Sequence, residues 1–347
     1  MKAKIINIAV LLVLIAGTTY FLLKDQELDE LLNCIKSANK CWLLLGLMAM
    51  ICFVCLESVI IHYLLSALSY SSKFLHCIKY SFVGFFVSAI TPSSTGGQPA
   101  QVYFMKRDGI SVSISSLILM VVTVAYKAVL LLIALFMLVI EFGFVMEHIK
   151  GIEFILIFGV MVNIIMIVAL MLIIFKQSLA KRMTGKFLLF LGKHRLIKNT
   201  DVKIKKLLTS ISKYDRGAAF LKEHKLVCFN VIVITAIQRL LYFAVTYIVY
   251  KSFGLTGCSP FEIITLQLII SLAVDNLPWP GGMGVNEGIF IIFFTEIFTA
   301  TYVTAGLMIT RGLNYYFIIL AGGMITALAK FMRRRDRDTL EKVNGSL

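Results

Sequence analysis

Charged residues make up only 15% of these 347 residues, and the acidic ones are the scarcer, 19 against 34 Lys and Arg. So little charge beside 59% hydrophobic residues excludes a soluble globular protein, which could not hide that much apolar surface at this length. No soluble domain is left over once the apolar runs are assigned. The five histidines (His62, His76, His148, His194 and His224) show no ligand spacing, and no nucleophile elbow or nucleotide-hydrolysing phosphate loop is present. Neither a metal, a cofactor, a catalytic residue nor ATP-driven transport by this chain alone is therefore expected. The seven cysteines are an odd number, and only Cys52 and Cys55 are closely spaced. On a helix these two lie one turn apart on an apolar face, where ordinary packing is the favoured reading over redox or metal chemistry.

Proline is scarcer still, with five residues, and four of them fall in two short stretches. These are Thr91-Pro-Ser-Ser-Thr-Gly-Gly-Gln-Pro-Ala-Gln101 and Asp275-Asn-Leu-Pro-Trp-Pro-Gly-Gly-Met-Gly-Val-Asn-Glu287. Both interrupt apolar runs where a continuous membrane helix is otherwise expected, because proline with paired glycine stops a helix. Broken backbone at membrane depth survives only where protein or water satisfies its polar groups, so two breaks point to a site.

What is abundant are apolar runs long enough to cross a bilayer. Six full spans are readable at about 5–23, 42–68, 112–140, 152–175, 226–250 and 302–330. The first is too long for a signal peptide and no small-residue cleavage site follows it, so a retained span is expected. The net charge of +15 is unevenly placed: residues 176–225 hold fourteen Lys or Arg against three acids, and the tail 331–347 contains Arg333, Arg334, Arg335 and Arg337. The connections 24–41 and 141–151 are acidic. With both termini cytoplasmic, the six spans put every basic segment inside and every acidic one outside.

A complete crossing at 74–90 would invert everything after it and translocate the fourteen-base loop. Residues 74–111 are therefore expected to enter from the cytoplasm, break, and return to Lys106 and Arg107 as a re-entrant hairpin. By the same count 257–299 enters from outside and returns there. The expected fold class is an all-α polytopic membrane protein: six full helices plus two re-entrant broken-helix hairpins from opposite faces, inverted-repeat-like in topology although no sequence identity relates the halves. The whole chain reads as one transmembrane domain.

In the first break, Gly96 and Gly97 are expected to form the turn and Pro99 to begin the returning half-helix. In the second, Gly281, Gly282 and Gly284 are expected to expose amides ahead of a helix starting near Val285. Helix N-termini and glycine nests bind anions, whereas tight turns packed on one another are the alternative reading. Within or beside the apolar runs lie Glu57, Lys127, Arg239, Asp275, Glu287, Glu296 and Arg311, each costly there unless paired or hydrated. Arg239 with Asp275, and Glu287 with Arg311, are the expected pairs; Lys127 and Glu296 are expected near helix ends, with Lys127 extending toward water. Together with Gln98, Gln101, Asn276 and Asn286, the break residues and these charges suit a headgroup carrying both phosphate and amine. Ile204, Leu207, Leu208 and Ile211 form an apolar stripe flanked by lysines, which either lies on anionic lipid or only fixes topology.

Pro280-Gly-Gly-Met-Gly-Val-Asn-Glu287, Arg311-x-x-x-Tyr315 and the Pro92 to Arg107 hairpin ending in Phe-Met-Lys-Arg resemble the transmembrane domain of the lysylphosphatidylglycerol synthase and flippase family, over nearly the whole chain. Where the commoner family form has Gly-Glu before an arginine, this chain has Gly97-Gln98 and Val102-Tyr103. The resemblance implies a flippase of the bacterial cytoplasmic membrane that moves aminoacylated phosphatidylglycerol or a related lipid between leaflets. The phosphate would meet the glycines of the breaks, Glu287 and Asp275 would hold an amine, and Arg239 and Arg311 would neutralise phosphate or the acids. The sequence ends at Leu347, so the synthase domain that attaches lysine from lysyl-tRNA is expected to be absent, with a separate synthase protein as a candidate partner. A homo-oligomer is left open and no nucleic acid is expected. The competing readings are a phosphatidylglycerol lysyltransferase or other lipid-modifying activity, and a membrane scaffold.

Overall fold

The structure, a computed structural model, describes residues 28–175, 200–277 and 279–344, with side chains for 29–175, 212–277, 279–329 and 331. The expected first span 5–23, residues 176–199 of the basic loop, the side chains of the 204–211 stripe and those of the arginine tail lie outside the described residues. Among the described residues every regular element is a helix and there is no strand, and five helices are long and apolar enough to cross a membrane. Four match the spans read at 42–68, 112–140, 152–175 and 226–250, and the fifth, Pro280–Ala329, contains the one read at 302–330 together with part of the second hairpin; the protein is an all-α polytopic membrane protein.

The helices run in order α1 Leu28–Ser37, α2 Lys40–Ala67, α3 Phe74–Ala89, α4 Gly97–Arg107, α5 Val112–Ile140, α6 Phe142–His148, α7 Glu153–Phe175, α8 Thr200–Glu223, α9 Lys225–Ser252, α10 Pro260–Val274, α11 Val285–Arg311 and α12 Phe317–Asn344. Their starts are marked by local chemistry. Asn39 caps α2 by accepting from the Cys41 amide at 2.9 Å. Ser259 and Glu262 make a reciprocal capping box at α10, with Pro260 at its first position.

Two ends of the bundle can be told apart by their contacts. At one, α1, the start of α2 and the end of α9 meet: the Asn39 amide donates to the Ser252 carbonyl at 2.7 Å, and the Cys34 thiol reaches the Thr301 carbonyl. This end carries Asp29, Glu30, Glu141, Glu147 and Glu153. At the other lie the α2–α3, α4–α5 and α8–α9 connections, with Lys73, Lys106, Arg107, Lys222 and Lys225.

Helices α3 and α4 form an antiparallel hairpin with both feet at the basic end. Its glycines set the spacing: a Cβ on Gly97 would stand 2.0 Å from Ser88 Oγ and 2.7 Å from the Gly84 carbonyl oxygen, and one on Gly84 would overlap Gln101. Gly97 is therefore a packing residue and Gly96 is αR, so the expected glycine turn is not where the chain reverses. Ser93 and Ser94 take the positive φ instead, at 49° and 54°. Pro99 is the third residue of α4 rather than its first, still within the turn whose amides have no helical acceptor.

Helices α10 and α11 make the second hairpin, with both feet at the acidic end. Tyr250 O–H accepts from the Cys258 amide at its entry, and Phe298 and Tyr302 pack on Phe253 at its exit. Helix α11 is interrupted at Thr299, whose φ of 63° reverses the chain, so the segment after it returns toward the basic end and continues into α12. The tips of the two hairpins touch in the middle of the bundle, where the Tyr315 hydroxyl donates to the Ala89 carbonyl at 2.8 Å.

At the foot of the first hairpin, Asp108 Oδ2 accepts from Lys79 Nζ at 2.5 Å and Tyr80 O–H at 2.6 Å, with His76 Nδ1 at 3.7 Å. Burial alone would raise the Asp108 carboxyl, but the Lys79 and Tyr80 hydrogen bonds and the charges of Lys79 and His76 outweigh it and hold it below the usual carboxylate value. A depressed folded-state value gives stability present above the unfolded pKa and lost as pH falls through the folded one. The thermal midpoint of the detergent-purified protein should thus fall less between pH 5 and pH 3 in Asp108→Asn than in wild type (the latch being already broken); equal slopes would show that the latch contributes nothing.

Candidate functional site

The breaks in α3–α4 and α10–α11 leave a cavity of about 520 Å³ between them, walled also by α2, α5 and α9. Of the residues expected at the site, Gln98, Gln101, Arg239, Asp275, Asn276, Gly281, Gly282, Asn286 and Arg311 line it. Gly96, Gly97, Gly284 and Glu287 are not among the residues that line it.

Glu287 and Arg311 form the expected pair. Arg311 Nε donates to Glu287 Oε1 at 2.6 Å and its Nη2 lies 2.5 Å from the same oxygen. The second carboxylate oxygen accepts from the Gly284 amide at 2.7 Å, and Arg311 Nη2 also donates to the Gly281 carbonyl at 3.2 Å. Gly281, Gly282 and Gly284 hold φ values of 59°, 64° and 84°, which only glycine adopts cheaply. One ion pair thus fastens the second break to the last span across a chain separation of 24 residues.

The expected pairing of Arg239 with Asp275 is not formed. The Arg239 guanidinium lies over the Tyr126 ring at 3.8 Å and near Phe53 at 5.0 Å, because α9 turns this residue toward α2 and α5. Asp275 is exposed within the cavity and makes no ion pair among the described residues. Lys127, expected near a helix end, stands in the middle of α5 with 6% of its surface exposed. From that depth its stem cannot reach water at either end, and Nζ donates to the side-chain oxygens of Asn163 at 2.9 Å and Asn276 at 3.0 Å. Glu57 joins it in the cavity, accepting from Gln101 Nε2 at 3.2 Å. Depth within the helix was the signal available in the sequence for both residues.

The break amides expected to await an anion are largely occupied. The Gly96 amide donates to Thr91 Oγ1 at 3.0 Å, the Gly282 amide to the Trp279 carbonyl at 3.2 Å, and the Gly284 amide to Glu287. Their own side chains and turns supply the acceptors, so cationic capacity lies with the side chains on the opposite wall. Gln98 hydrogen-bonds Thr123 across to α5.

Fold and cavity together define a polytopic helical membrane protein with a polar chamber where two broken hairpins meet. The chain belongs to the family described as lysylphosphatidylglycerol synthase TM region, whose model matches residues 5–322. Membership connects it with lysylphosphatidylglycerol at the membrane. It is also similar to a UPF0104 membrane protein of Archaeoglobus fulgidus, 28% identical over 104 residues, which are 30% of this chain. The match spans about a third of that relative, 32% of its length.

Proposed function

We propose that this protein is a phospholipid translocase of the cytoplasmic membrane, moving aminoacylated phosphatidylglycerol or a related anionic or zwitterionic lipid between leaflets. The observation that carries the reading is the charged cavity at the meeting point of two hairpins whose feet lie at opposite ends of the bundle. In a bilayer both hairpins would be re-entrant, with the basic end cytoplasmic by the positive-inside rule. A headgroup would enter the cavity while its acyl chains stay in lipid. Asp275, accessible and without an ion pair among the described residues, would receive an amine, whereas Glu287 is committed to Arg311. Rocking of one hairpin against the other about the Tyr315–Ala89 contact would expose the cavity to each leaflet in turn.

Reconstitution into vesicles containing headgroup-labelled phosphatidylglycerol or its lysyl ester tests this. Wild-type protein is expected to bring labelled lipid from the inner leaflet to an external quencher well above protein-free vesicles, and Asp275→Asn to slow the lysyl ester at least tenfold while sparing the unmodified lipid. Leakage-corrected exchange equal to that of protein-free vesicles would defeat the proposal.

A further inference from the structure

Two cations face this cavity with no carboxylate bonded to either. Arg311 is paired with Glu287, whereas among the described residues neither Arg239 nor Lys127 forms an ion pair. Lys127 has only the neutral oxygens of Asn163 and Asn276. Arg239 Nε is sealed from solvent without any acceptor, and so is Asn276 Nδ2. The guanidinium and the ammonium flank one ring, Tyr126, at 3.8 and 5.6 Å. Glu57 is near enough to attract the Arg239 guanidinium, and Asp275 also lines the cavity, but the Glu57 hydrogen bond is to Gln101 and neither carboxylate bonds either cation. The two carboxylates offset the charge of the chamber but leave these donors unmet, and the group that satisfies two buried donors beside two cations is a compact anion with several acceptor oxygens.

We infer that Arg239, Lys127 and Asn276 form an oxyanion subsite that takes the phosphate of a phosphate ester, apart from the Glu287–Arg311 pair. Arg239 supplies a planar donor edge held by the Tyr126 ring, Lys127 a point charge, and Asn276 an amide from the second break. The subsite rests on the translocase reading only for the source of its ligand; its chemistry follows from the donors. Arg311, hydrogen-bonded to Glu287 and Gly281, is left as a structural clamp.

The chain has two tryptophans, and Trp279 lines the cavity with 44% exposure, so a Trp42→Phe background leaves a single reporter at the site. The detergent-purified full chain is titrated with dihexanoyl-phosphatidylglycerol, glycerol 1-phosphate, and dihexanoylglycerol as the neutral arm. A saturable change in Trp279 emission is expected with the first and none with the last, and Arg239→Gln and Lys127→Met are each expected to weaken binding at least tenfold. A response to glycerol 1-phosphate as well supports a site for phosphate esters in general, and a response to the lipid alone supports a lipid phosphate. Wild-type affinity in both variants, or an equal response to the neutral lipid, overturns the subsite, and the neutral arm decides even where a variant fails to fold. Binding of the expected pattern in a protein that moves no lipid in vesicles overturns the translocase reading and leaves the subsite standing. Vesicles that flip lipid at the wild-type rate with both variants do the reverse.

Discussion

Glu287→Ala is expected to destabilise the protein by ~3–5 kcal/mol, the cost of removing one partner of a buried ion pair and leaving the other uncompensated. Here the loss is threefold in kind. Arg311 keeps its charge at 12% side-chain exposure with no carboxylate, the Gly284 amide loses its acceptor, and the helix start at Val285 loses the carboxylate on its positive end. Arg311→Ala should cost a similar amount, since it frees Glu287 and the Gly281 carbonyl together. Glu287→Leu combined with Arg311→Met should cost less than either single change, because no buried charge is then left alone. Thermal unfolding of the four proteins in one detergent checks this; single variants within about 1 kcal/mol of wild type would show that the pair is not what fastens the second break.

The second large effect is expected at Gly281. Its φ of 59° already favours glycine, and a Cβ there would come within 2.3 Å of the Tyr315 ring. Left-handed backbone in an alanine costs ~1–2 kcal/mol and overpacking ~1–3 kcal/mol, so Gly281→Ala should lose ~2–5 kcal/mol. Gly254→Ala separates the two contributions, because its φ is 73° but nothing lies within 4 Å of the added Cβ. The excess at Gly281 should appear as displacement of Tyr315, the residue that joins the second break to Ala89 of the first. Reduced lipid movement at a temperature where the variant is still folded is the expected functional result; unchanged movement would make the Tyr315 contact incidental to transport.

Much of the architecture was legible in the chain because bilayer thickness and charge bias act over whole segments. Runs near the bilayer length mark helices, and the fourteen-base segment leaves few topologies open. The second break was legible in detail: positive φ does fall on Gly281, Gly282 and Gly284, a helix does start at Val285, and Glu287 does meet Arg311. The first break was less so. Glycine there serves close packing of α3 on α4, and two serines carry the turn, a choice that no local propensity marks. Side-chain partners were the least legible. Arg239 faces an aromatic ring on α5 and not the nearest acid in the second break, and Lys127 points inward, because which face of a uniformly apolar helix looks at its neighbours is decided by packing.

The most direct measurement is a structure of the full chain in a lipid nanodisc containing phosphatidylglycerol. Phosphate density inside the cavity, against the Arg239 guanidinium, the Lys127 ammonium or the Asn276 side chain, is the expected result, with the acyl chains leaving toward the bilayer. A cavity holding only water, with lipid headgroups confined to the two outer ends of the bundle, would contradict the account.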